Sequence, residues 1–146
     1  MRRLTLAALM ALAAALSFAY EEVPVSEQAA QADAAPLVRQ AELHIKIAER
    51  QMKEADRLYT GGKMDEAAAA VRDVVTYSEK ATDAAVRSGK RLKNTEINIR
   101  KLSKRLNDIQ RTLSYDDQGP VKTATDRLEE LRTQLLNRMF SKDKKK

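Results

Sequence analysis

Apolar residues recur along this chain at alternating steps of three and four, the spacing that gathers them on one face of an α-helix. Val38, Ala41, Ile45, Ala48, Met52, Ala55 and Tyr59 form the first such seam. Thr60-Gly61-Gly62 stops it, because glycine readily takes the left-handed conformation that ends helices. Lys63-Met64-Asp65-Glu66 opens the next helix, with acids in the first turn where the helix dipole favours negative charge. From there Met64, Ala67, Val71, Val74, Ser78, Ala81, Ala85, Ser88, Leu92, Thr95, Ile99, Leu102, Leu106, Ile109 and Leu113 hold one heptad register. A seven-residue repeat kept this long predicts a left-handed supercoiled seam. As one helix it would be about 75 Å long at 1.5 Å per residue. Ser114-Tyr115-Asp116-Asp117-Gln118-Gly119-Pro120 breaks the pattern, and a last helix follows, seamed by Val121, Ala124, Leu128, Leu131 and Leu135 and ending near Phe140.

The long seam changes character partway. Up to Ser88 it is Ala/Ser/Val, which lets a partner helix approach closely; from Leu92 it is mainly Leu/Ile. The first helix also carries alanines and the last is leucine-seamed. The pattern therefore predicts an all-α fold of antiparallel helical hairpins or coiled coil around one long central helix, 64–113. The first helix packs on its alanine half and the last on its leucine half. The alternative is a compact four-helix bundle broken near Gly89. Glycine inside a helix costs about 1 kcal/mol relative to alanine, whereas the register running in phase across Gly89 favours continuity.

The termini read differently. Arg2 and Arg3 precede an Ala/Leu/Met run, Leu4 to Leu16, and Ser17-Phe18-Ala19 places small residues at the two positions a signal peptidase reads. Residues 1–19 are expected to be a cleaved signal peptide, making the protein exported, periplasmic or secreted. An uncleaved anchor is the competing reading, but the run is shorter than the roughly 20 residues that span a bilayer. No later segment is apolar enough to span a membrane. Residues 20–35 are Ala/Gln/Glu-rich and read as a flexible or weakly helical lead-in. Asp33 and Pro36 then mark a helix start, as N-cap and first-turn proline. One helical domain covers 36–140, with helices at about 36–60, 64–114 and 120–140, and 141–146 is a basic, disordered tail.

Composition agrees with this picture. The 146 residues are one domain's length, with four Gly, three Pro, 4% aromatic and 33% charged residues. Cysteine is absent, which excludes disulfides, thiolate metal sites and acylation at cysteine.

Residues 55–74 resemble the inter-helix turn of a tetratricopeptide repeat. Ala55 stands at the small position, Leu58-Tyr59 at the bulky pair and Gly62 at the turn, with Glu66-Ala67 opening the second helix and Val71 and Val74 at packing positions. One period of 34 residues on, Glu96 and Lys101 replace the turn glycine and the alanine. The resemblance thus implies hairpin geometry and no peptide-binding surface. A small, exported, basic chain of long helices also resembles the Skp-type periplasmic chaperones in architecture, without an alternating β-branched run to build that family's β-body.

Candidate chemistry is sparse. His44 is the only histidine and sits beside the first seam, with Glu42 on another helix face, so it reads as a partly exposed boundary residue. A helical di-iron site needs Glu-x-x-His pairs on two helices. The adjacent acids Asp65/Glu66, Asp116/Asp117 and Glu129/Glu130 diverge around helices or lie at starts and loops. No glycine-rich phosphate loop and no hydroxyl–base pair is visible. The expectation is no catalytic residue, no metal, no cofactor and no enzyme. Met52, Met64 and Met139 read as packing residues.

Charge carries the remaining signal. Residues 21–79 hold 12 acids against 7 bases, a net of −5, while 80–111 hold 10 bases against 3 acids, a net of +7. Lys90, Arg91, Lys93, Arg100, Lys101, Lys104, Arg105 and Arg111 lie off the seam and form the candidate face for an anionic partner. A solvated helix surface has the same appearance. Lipid head groups, an acidic polymer or an acidic protein would fit, and nucleic acid is disfavoured for an exported chain without a recognition module. Two functions follow. One is a non-enzymatic helical interaction or scaffold protein of the bacterial cell envelope that binds a protein partner or itself through helix faces. The other is a periplasmic holdase-like chaperone, or a binder of anionic envelope components, acting through the basic face.

Overall fold

The computed structural model describes residues 22–141; the expected signal peptide and the lysines of the tail lie outside them. Five α-helices follow one another: α1 (Val25–Ala34), α2 (Leu37–Thr60), α3 (Met64–Ser88), α4 (Leu92–Thr112) and α5 (Gly119–Phe140), with a short 3-10 turn, Tyr115–Asp117, before α5. The class is all-α, as the seams predict, and among the described residues no strand occurs.

The heptad segment is not one helix. It ends at Ser88 and restarts at Leu92, and the turn between them holds two residues in the left-handed region, Gly89 (φ 66°, ψ 14°) and Arg91 (φ 60°, ψ 16°). Gly89 N–H donates to the Ala85 carbonyl (2.9 Å), and Lys90 N–H to Ser88 Oγ (3.1 Å). The Arg91 carbonyl then accepts from both the amide (2.9 Å) and the hydroxyl (2.7 Å) of Thr95, starting α4. The continuous 64–113 helix is thereby corrected to the bundle broken near Gly89. The register misled because Ser88 to Leu92 is a step of four, which reads as a helical step whether or not a turn lies inside it.

The α2–α3 turn is built as its sequence suggests. Gly62 is left-handed (φ 75°), Lys63 N–H reaches the Leu58 carbonyl (2.9 Å) and Gly62 N–H that of Tyr59 (3.1 Å). These two bonds satisfy carbonyls that the helix end leaves open.

Of the two readings of the lead-in, the helical one describes residues 25–34, and α1 lies on α2 with Ala32 buried. Polar contacts hold it: Arg50 to Gln28 Oε1 (2.9 Å), Gln40 Nε2 to the Ala35 carbonyl (2.9 Å) and Lys80 to Asp33 (3.3 Å). Asp33 is therefore not the cap of α2. Pro36 occupies that position without a side-chain cap, and Asp33 belongs to the last turn of α1, which Ala35 caps.

Two hairpins make the bundle. In the first, alanines of α2 (Ala41, Ala48, Ala55) meet Ala67, Val71, Val74, Ala81 and Ala85 of α3. The second buries Ile99, Leu102 and Leu106 of α4 with Leu128, Leu131 and Leu135 of α5. Removing each large aliphatic side chain from water contributes about 1.5–3 kcal/mol. The hairpins lie side by side. Glu42–Arg91 (3.5 Å) and Asp56–Arg105 tie α2 to α4 in parallel register. Glu79–Arg127 (2.8 Å) and the Arg138 bond to the Val86 carbonyl (3.2 Å) do the same for α3 and α5. Consequently the start of α2, end of α3, start of α4 and end of α5 share one end of the bundle.

Candidate functional site

The outward side of α4 follows from its buried side. Leu92, Thr95, Ile99, Leu102, Leu106 and Ile109 face the core. Lys93, Arg100, Lys104 and Arg111 succeed one another at steps of seven, four and seven, so at 3.6 residues per turn they align within about 20° on the opposite side. Lys101 lies next to this row, and Lys90 precedes it in the turn.

The structure divides the eight candidate cations. Arg91 and Arg105 turn toward α2 and pair with Glu42 and Asp56. Arg100 lies 3.9 Å from Glu96 and Arg111 3.9 Å from Asp108, both within their own helix. Lys90, Lys93, Lys101 and Lys104 are exposed and have no acidic partner among the described residues. Exposed ion pairs contribute about 0–1 kcal/mol each, so Arg100 and Arg111 remain free to turn to another anion. Arg91 and Arg105 are committed to joining the hairpins.

Between α2 and α4 the hairpins leave two clefts. A cleft of about 320 Å³ includes Glu42, Ile45, Glu49, Arg91 and Asn98. A larger one, about 650 Å³, lies at the other end beside Tyr59, Met64, Arg105, Ile109 and Asp117. The acids Glu42 and Asp56 on these clefts are held in ion pairs with α4.

His44 sits elsewhere, beneath α1. It is 1% exposed, which corrects the expected boundary position. Its Nε2 lies 3.2 Å from Asp33 Oδ1, and the ring stacks on Tyr77 at a centroid distance of 6.1 Å. Lys80 lies over the far ring, 5.8 Å from the Tyr77 centroid. Burial lowers the His44 pKa, partly opposed by the charge of Asp33 and assisted by that of Lys80. The neutral ring donates from Nε2, leaving Nδ1 without a partner among the described residues. Periodicity had no means of finding this cluster, because its members come from three helices and meet through polar contacts.

Buried charge also links α4 to α5. Glu96, 7% exposed, accepts from Arg132 (3.0 Å), which donates to Glu129 (2.7 Å), and Glu129 accepts from Ser103 (2.6 Å). This network lies on the packed side of α4, away from the lysines. Among the described residues no group of three or more His, Asp or Glu could hold a metal ion, and no helix is long and apolar enough to cross a membrane. No family model, no curated protein and no solved structure matches the chain.

Proposed function

We propose that the chain is an exported, non-catalytic interaction protein that engages an anionic partner through the outward face of α4. The observation that carries this reading is the set Lys90, Lys93, Lys101 and Lys104, exposed and without acidic partners among the described residues while neighbouring arginines are paired. The uneven charge along the sequence supports it, since the excess of bases is concentrated in 80–111. Export rests on the pattern of residues 1–19. The non-catalytic character is supported by the sole histidine being committed to Asp33 and Tyr77 beneath α1. Self-association through the heptad seam loses its motivation, because those residues are already buried against α2 and α5 within one chain.

Binding of long-chain polyphosphate, titrated between 50 and 200 mM salt, tests the face with a probe that carries only charge. The intact protein binds with a strong salt dependence. Changing Lys90, Lys93, Lys101 and Lys104 together to Gln weakens binding and flattens the slope of log affinity against log salt by about three, as four lost phosphate contacts require. Absence of binding by the intact protein, or an unchanged slope in the variant, contradicts the reading.

A further inference from the structure

We propose that one end of the bundle, where α4 begins and α5 ends, docks on an anionic lipid bilayer, with Phe140 as the residue that enters it. This rests on the reading of α4 as anion-binding and adds the partner and the orientation.

Four element ends meet at this place: the start of α2, the end of α3, the start of α4 and the end of α5. Phe140, the last residue of α5, is 63% exposed, and Val38, in the first turn of α2, is 42% exposed. Around them Arg39, Lys90, Lys93 and Arg138 have no carboxylate partner among the described residues. Arg138 is held in place through the Val86 carbonyl, 3.2 Å away, so its charge remains uncompensated at the end of α3. Beyond Ser141 the sequence continues Lys142-Asp143-Lys144-Lys145-Lys146, which tethers further positive charge within a few residues of Phe140.

The opposite end has the reverse character. Asp65, Glu66 and Asp116 lack basic partners among the described residues, where Lys63 and Arg72 are the unpaired cations on the same side. Tyr115 is 89% exposed there, an aromatic set among acids. The molecule is therefore polarised along its axis, and a negatively charged plane orients it with the Phe140 end inward.

The form of this end selects a surface over a small anion. Its cations come from different helix ends and are spread across it, and no cleft among the described residues gathers them: the clefts run along the sides of α2, against α4 and against α1, and of these four cations only Arg39 lines one. An exposed aromatic ringed by spread cations supplies the two signals, apolar insertion and attraction to acidic head groups, that peripheral membrane attachment requires. Aliphatic stems of lysine and arginine accommodate the interface while their charges stay in water.

Vesicle flotation tests the proposal, using residues 20–146, which contain the whole buried core from Ala32 to Leu135, with helix content checked by circular dichroism. The protein is expected to float with vesicles containing phosphatidylglycerol and not with pure phosphatidylcholine. Lys90→Gln with Lys93→Gln lowers partitioning about twenty-five-fold, at about fivefold per charge. Phe140→Ala lowers it about tenfold, and Tyr115→Ala leaves it unchanged. Polyphosphate is the second arm. Binding to polyphosphate without binding to anionic vesicles overturns the membrane proposal and leaves the anion-binding face standing, with an acidic protein or polymer as its partner. Binding to neither overturns both. Vesicle binding that survives Phe140→Ala within twofold, or falls equally with Tyr115→Ala, overturns insertion of the Phe140 end.

Discussion

Gly89→Ala places a Cβ on a backbone held at φ 66°, ψ 14°, and the consequence can be worked from two opposing terms. An L-residue in the left-handed helical region carries a penalty of about 1–2 kcal/mol. In a straight helix, alanine is instead better than glycine by about 1 kcal/mol. The substitution therefore destabilises the turn and stabilises the uninterrupted helix, moving the balance by about 2–3 kcal/mol, or roughly thirty- to a hundred-and-fifty-fold. A chain that is straight through 89 cannot pack its own α4 and α5 against its own α3. The leucine faces can still be buried by exchange with a second chain, as in domain swapping. The expected result is a melting temperature lower by about 4–8 °C and a dimer fraction that rises with concentration. Scanning calorimetry and sedimentation velocity over a concentration series measure the two effects. An unchanged melting temperature together with a monomer at all concentrations would refute the reasoning, because it would mean that residue 89 does not hold a left-handed conformation.

The buried charge and the buried histidine give further predictions. Arg132→Leu strands the Glu96 carboxylate, whose remaining neighbour, Arg100, is 3.9 Å away. The loss is about 2–3 kcal/mol, below the full cost of breaking a buried pair because Arg132 is partly exposed. Glu96→Leu leaves Arg132 with Glu129 and a path to solvent, so it loses under about 1 kcal/mol. Urea unfolding of both variants checks this asymmetry, and equal losses contradict it. For His44, the folded state holds the ring neutral below its ordinary pKa of 6.5, so on acidification the unfolded chain takes up the proton first. Stability is thus flat above neutral pH and falls as pH drops below about 6.5 toward the lowered folded value. Urea midpoints between pH 7 and pH 5 should decline for the native sequence and show a weaker decline for His44→Leu; parallel curves rule out His44 as the source.

Much of the core was legible because helix packing is written in the period of apolar residues. Every seam position from Ala41 to Tyr59 is buried, as are all five of α5, Val121 to Leu135. Val38 is exposed because the first turn of α2 lies at the end of the bundle, where no neighbouring helix covers it. What the period lacks is direction, so a turn that fits a step of four between Ser88 and Leu92 passed as helix. α1 was illegible for another reason: it is held by Arg50, Gln40 and Lys80, polar residues distant in sequence. The candidate face divided on the same ground. Eight cations lie off the seam, yet the partners that draw Arg91 and Arg105 inward, Glu42 and Asp56, each lie 49 residues upstream.

The turn at 89–91 governs the rest, because it brings the start of α4 beside the end of α5 and separates a basic end from an acidic one. Pulsed electron spin resonance between labels at Lys63 and Arg111, in otherwise unchanged protein at high dilution, tests it directly. Folded back, the start of α3 and the end of α4 line one cleft, where Met64 and Thr112 both lie, and the labels should sit within roughly 25 Å, allowing about 10–12 Å for a helix with its side chains. A distribution centred near 70 Å, the length of an uninterrupted helix at 1.5 Å per residue, would contradict the account.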